Sequence, residues 1–160
     1  MRALPGPIRV LALAAALALA PGLSQAGSGY AVYETQAAFD DVLDALKLAI
    51  EERGMVVKNL LHISEMQERS GKDLGDTRPI YARADSVEFC SAVLSREMTR
   101  EDPARLVNCP FIVSVYTLPE RPGTTFIAHR EIPPDQVAES PAMAKVAAML
   151  KAVAGAAASW

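Results

Sequence analysis

The chain has 160 residues, enough for one domain and not comfortably for two. Its formal charge is −3, from 16 basic and 19 acidic residues, and it falls to −5 without Arg2 and Arg9. No Lys/Arg cluster stands in the remainder, which argues against nucleic acid and against an anionic membrane surface as partners.

Residues 1–26 have the pattern of a secretory signal peptide. Arg2 and Arg9 give a positive start, residues 10–20 (VLALAAALALA) an apolar core, and Pro21 and Gly22 a break. Ser24 and Ala26 put small residues at the −3 and −1 positions of a cleavage site. The apolar run is shorter than the roughly 20 residues that span a bilayer, so no membrane span is expected after cleavage. The expected location is periplasmic or secreted. The expected organisation is a folded domain over residues 27–135, followed by an Ala-rich helix and tail over 136–160.

Residues 30–35 are aromatic and β-branched and predict a first strand. Phe39, Val42, Leu43, Leu46 and Ile50 recur at helical spacing, with Asp40, Asp41 and Asp44 in the first turns and Gly54 placed to end the helix. The acids read as a dipole-favoured helix start rather than a metal site. Residues 55–63 predict a second strand, 64–69 a helical turn, 70–79 a loop and 80–84 a short third strand. A second helix is expected from Asp85, with Asp85 and Glu88 at capping-box spacing and Val87, Cys90, Val93, Leu94 and Met98 on one side. Residues 106–116 predict the central strand, with Phe111, Val113 and Val115 as its more apolar face. Cys109 shares the parity of Phe111. Residues 125–132 return as an antiparallel strand. Ser140-Pro141 is a cap followed by proline at the first helical position, and Met143, Val146, Ala147, Leu150 and Val153 form the apolar stripe of a last helix. The tail after Gly155 is expected to fray.

Three motifs together, FCSAVLSREM (89–98), NCPFIVSVY (108–116) and AHR (128–130), resemble an exported Phe-Cys-Ser / Cys-Pro branch of the domain-of-unknown-function family DUF302. The segment HISEMQERSGKDLG (62–75) is similar to the stretch upstream of Phe-Cys-Ser in that branch. The resemblance covers most of residues 30–132. It implies an α+β fold, with an antiparallel sheet of about five strands and two or three helices packed on one face, similar to the TATA-binding-protein-like class. It implies no agreed activity, and it gives a loose link to sulfur and respiratory metabolism.

The candidate chemistry starts from Cys90 and Cys109, the two cysteines of the chain. An oxidising compartment and a shared layer under the helices allow a disulfide between them, worth about 3 kcal/mol in the chain-entropy model. A redox-active thiol pair is the alternative, but no C-x-x-C motif or helix N-terminus activates either thiol. A haem or metal site would draw on His62, Met66 and His129, since His62-x-x-x-Met66 offers two ligands on one helix face. No cofactor is required by these residues. Ser91, Arg96 and Arg130 could instead bind an oxyanion. No nucleophile-elbow glycines surround Ser91, so a hydrolase is disfavoured. The expected role is binding or accessory rather than catalytic, with a redox or haem/metal protein as the alternative. A small molecule, a protein partner or a second copy of the chain all remain open as its partner.

Overall fold

The computed structural model describes residues 29–160; the expected leader lies outside the described residues. The order is β1 (Tyr30–Thr35), α1 (Phe39–Glu51), β2 (Val56–His62), α2 (Ile63–Leu74), β3 (Arg83–Cys90), α3 (Ala92–Glu101), a 3-10 helix (Pro103–Asn108), β4 (Phe111–Thr117), β5 (Thr125–Arg130), α4 (Pro134–Glu139) and α5 (Pro141–Ala158). The strands form one antiparallel sheet in the order β1-β5-β4-β3-β2, so the run read as the central strand does lie in the middle. This is the expected α+β architecture.

Alternation along the strands decides what each face does. Val87 and Phe89 of β3, Phe111, Val113 and Val115 of β4, and Ile127 of β5 point to one side and are buried. Against them lie Val42, Leu46 and Ile50 of α1 and Met143, Val146, Leu150 and Val153 of α5, with Met98 of α3 in the same core. The helical spacing of these residues is what puts them on the inner stripe. The Phe89 and Phe111 rings sit 5.8 Å apart, and a fully buried side chain of this kind stabilises by about 1.5–3 kcal/mol. Gly54, at φ 69°, lets the chain leave α1 in a left-handed turn and enter β2.

Five expectations are corrected. Residues 85–90 are strand, not helix: α3 starts after Ser91, whose hydroxyl accepts from the Leu94 amide at 3.3 Å. Asp85 is no cap; it accepts from His62 across the β2–β3 pair. The strand expected from residue 106 begins at Phe111, because Asp102 caps the Ala104 amide at 2.9 Å and Pro103 opens a 3-10 helix. The short turn at 64–69 is the longer α2. The tail is not frayed at Gly155, since α5 continues to Ala158 with Ala154 and Ala157 buried in the core.

The expected disulfide is also corrected. Cys90 and Cys109 are both free thiols. Cys90 follows the buried Phe89 in β3 and so alternates to the side away from α1 and α5, whereas Cys109 packs against the core cluster, its sulfur 3.1 Å from the Ser95 hydroxyl. The facing expected for Cys90 came from a helix that is a strand.

Candidate functional site

The second face of the sheet is unlike the first. Next to β3 it is covered, for α2 packs beside that strand and Ala84 and Ser86 are buried. At the β4–β5 turn it is closed by aromatics. Tyr116 stacks on Phe126 at 4.9 Å, Tyr81 meets Tyr116 edge-on, and Arg121 lies over Phe126 while pairing with Glu34 at 2.7 and 3.1 Å. Between these covers and the 3-10 helix the face is open, and a groove of about 1060 Å³ occupies it.

The floor of the groove follows from register. Ser114 is opposite Ala128, and Tyr30 is opposite Arg130. Since His129 and Val113 are paired on the buried side, their neighbours Arg130, Ala128, Ser114 and Ile112 face out. Small residues in the middle of the floor make the depression. Ile112 is 43% and Val107 86% exposed, so the lining has an apolar part open to solvent.

The wall is held rigidly. Asn108 Nδ2 donates to the Arg105 carbonyl at 3.0 Å, and Asp102 caps the 3-10 helix. Arg105 Nη1 donates to the Ser140 hydroxyl at 2.8 Å and forms a very short contact with Glu101. Glu101 also accepts from the Ser140 hydroxyl and, at 3.1 Å, from the Ala142 amide. The Ser140 hydrogen bond, helped by the Ala142 amide and Arg105, holds the Glu101 carboxyl below its ordinary value despite opposing desolvation. Thus a carboxylate from α3 seals the start of α5 and fixes the 3-10 helix beside it.

Two arginines line the groove. Arg105 is consumed by this cluster, whereas the exposed Arg130 guanidinium has no partner among the described residues. Glu131, the next residue, also lines the groove; burial first, and then the charge of Glu131, push the Tyr33 phenol up from its ordinary value. Tyr33 in turn stacks on the His129 ring at 5.9 Å.

Of the residues singled out in the sequence, Arg130 and His129 come to this groove and the others do not. His129 is 7% exposed, with Nδ1 2.9 Å from the Arg130 carbonyl and Nε2 buried with no partner among the described residues. His62 lies three strand spacings away, about 14 Å, on β2. Its Nδ1 is 2.9 Å from the buried Asp85 carboxylate. Met66 is exposed on α2. Ser91 is occupied as the cap of α3, and Arg96 is exposed on that helix. Among the described residues, no group of three or more His, Cys, Asp or Glu side chains is placed to hold a metal ion. Sequence reasoning missed Tyr30, Val107, Asn108, Ile112 and Ser114. For Ile112 and Ser114 the signal was the less apolar register of β4, which marks a face not meant for the core; Tyr30, Val107 and Asn108, on β1 and the 3-10 helix, carried none.

A family model described as "Domain of unknown function DUF302" matches residues 31–158. Among solved structures, the chain is similar to the crystal structure of an uncharacterised conserved DUF302 protein from Bacillus stearothermophilus. The identity is 16% and the TM-score 0.62, over 83% of this chain and 98% of that one, a likeness that shows a shared fold. No curated protein matches the chain in sequence.

Proposed function

We propose that this chain, which belongs to the DUF302 family, is an exported binding module whose ligand is a small molecule seated in the groove over β4 and β5. The observation that carries the reading is the groove itself. Its size, about 1060 Å³, is at the upper end of the range that small-molecule sites occupy. It combines exposed apolar side chains with a few polar groups, the composition such sites use. Its wall is pre-formed by the Glu101–Arg105–Ser140 cluster, so little ordering cost attends binding. Export is supported by the signal-peptide pattern of residues 1–26.

Two measurements test the reading. Cell fractionation of the tagged full-length chain should find a product shortened by the leader outside the cytoplasm; an unprocessed cytoplasmic product would remove export. For the groove, Ala128→Trp fills the middle of the floor from a strand position whose side chain faces out. Small amphipathic compounds that raise the melting temperature of the protein should lose that effect in the variant. If the compounds stabilise both proteins equally, the groove is not their site.

A further inference from the structure

We infer that the groove recognises organic anions: a carboxylate or similar oxyanion held by Arg130 and Ser114, with the apolar remainder of the ligand along Ile112, Ala128 and Val107. This rests on the reading of the groove as a binding site and adds the chemical class of what it takes.

The charge on the floor is the first observation. The outward residues around the depression are Tyr30, Val32, Ile112, Ala128, Ser114 and Arg130, and Arg130 is the charged one among them. Two acids, Asp102 and Glu131, line the groove. Asp102 accepts from the Ala104 amide, and neither carboxylate pairs with Arg130. An exposed guanidinium left without a carboxylate presents a planar fork of N–H donors, which matches the two oxygens of a carboxylate or sulfonate.

The second observation is the hydroxyl pair beneath. Ser86 and Ser114 stand opposite each other in β3 and β4 with their oxygens 2.7 Å apart. Two hydroxyls carry two protons, and one contact uses one of them. The second proton has no acceptor among the described residues. Ser86 is buried, whereas Ser114 lines the groove, so the hydroxyl with room to turn is that of Ser114. It is most cheaply satisfied by an acceptor arriving from the groove. Arg130 and Ser114 are diagonal neighbours on adjacent strands, about 7–8 Å apart at the backbone, a gap that an arginine side chain and a bound oxyanion together can bridge.

The apolar lining is the third. Ile112 and the exposed Val107 of the 3-10 helix line the groove together with Arg130, and they offer a surface for a short hydrocarbon chain or ring, whose burial is favourable. A cation would meet the Arg130 charge on this floor, and a neutral polar ligand would leave the apolar side unused.

The test titrates the purified protein with four probes that share one tail: octanoate, octanesulfonate, octanol and octylamine. Binding is read by native mass spectrometry and calorimetry. Both anions are expected to bind roughly tenfold or more tighter than octanol and octylamine, the factor a hydrogen-bonded ion pair contributes. Arg130→Ala should remove that advantage and leave octanol unchanged, with Arg130→Lys retaining part of it. Ser114→Ala should weaken the anions severalfold, and Arg96→Ala, on α3, should weaken nothing. Melting temperatures of the variants check that each is folded. If all four probes bind alike and Arg130→Ala changes none of them, the anion assignment falls and the groove survives as an apolar site. If none of the four binds, both the assignment and the groove reading fall.

Discussion

The two faces of β4 carry neighbouring residues to opposite purposes. Phe111, Val113 and Val115 meet two helices and vanish from solvent, while Ile112 and Ser114, between them in sequence, face a groove. The first face is covered by α1 and α5, long helices whose stripes match it. The second is covered only at its margins, by α2 and by the Tyr116–Phe126 stack. The difference teaches where to look for stability and where for recognition, and it can be broken residue by residue.

The largest expected effect is on the core face. Phe89 is fully buried against Phe111, so Phe89→Ala removes apolar contact and leaves a cavity. The expected loss is about 3–5 kcal/mol in chemical denaturation. A loss under about 1 kcal/mol would mean that this face is not the packed one.

The same alternation explains what the sequence disclosed. α1 and α5 were legible because their apolar residues keep helical spacing and their starts carry helix-favouring residues, Asp40 and Asp41 in one and Ser140-Pro141 in the other. β3 was not. Val87, Cys90, Val93 and Leu94 fit a helical stripe, while Val87 and Phe89 fit a strand equally well, and the sheet decided in favour of the strand. A strand start at residue 106 was likewise expected, although Asp102-Pro103 repeats the cap-then-proline grammar read correctly at Ser140-Pro141. The groove was hidden for another reason. Its floor comes from three strands and its wall from a 3-10 helix, and only pairing register assembles them. Arg130 was visible as a residue type, but its neighbours Ser114 and Tyr30 were not.

A smaller effect is expected at the wall between the faces. Ser140 is buried and accepts from the Met143 amide at 3.0 Å, so Ser140→Ala removes the cap of α5, at about 1 kcal/mol. Its partner Glu101 makes the cluster pH-dependent. The folded carboxyl is held below its ordinary value, so its stabilisation is present at neutral pH and is lost as pH falls from about 4.5 through the lowered value. Glu34 and Asp40 are lowered too, by Arg121 and Arg83. The measurement is therefore a difference: the stability gap between the natural protein and Glu101→Gln should be open at pH 7 and close on acidification. A gap that widens in acid would reverse the sign.

On the groove face a comparable truncation should cost little. Ile112 is exposed, so Ile112→Ala is expected to fall within about 0.5 kcal/mol of the natural protein, against several for Phe89→Ala, in the same denaturation series. A cost near that of Phe89 would show that something covers this face in solution.

The smallest effect tests the sheet as a divider. Cys90 and Cys109 lie toward opposite sides of it, so no bond between them contributes to stability. Reductant should leave the melting temperature where it was, and both thiols should react once the chain is denatured without reductant. Because a cross-link closing the loop between them would be worth about 3 kcal/mol, a bridged protein would melt measurably lower after reduction. Such a drop would place the two sulfurs together, make β3 bend or slip by a residue before Cys90, and so move the boundary between the packed face and the open one.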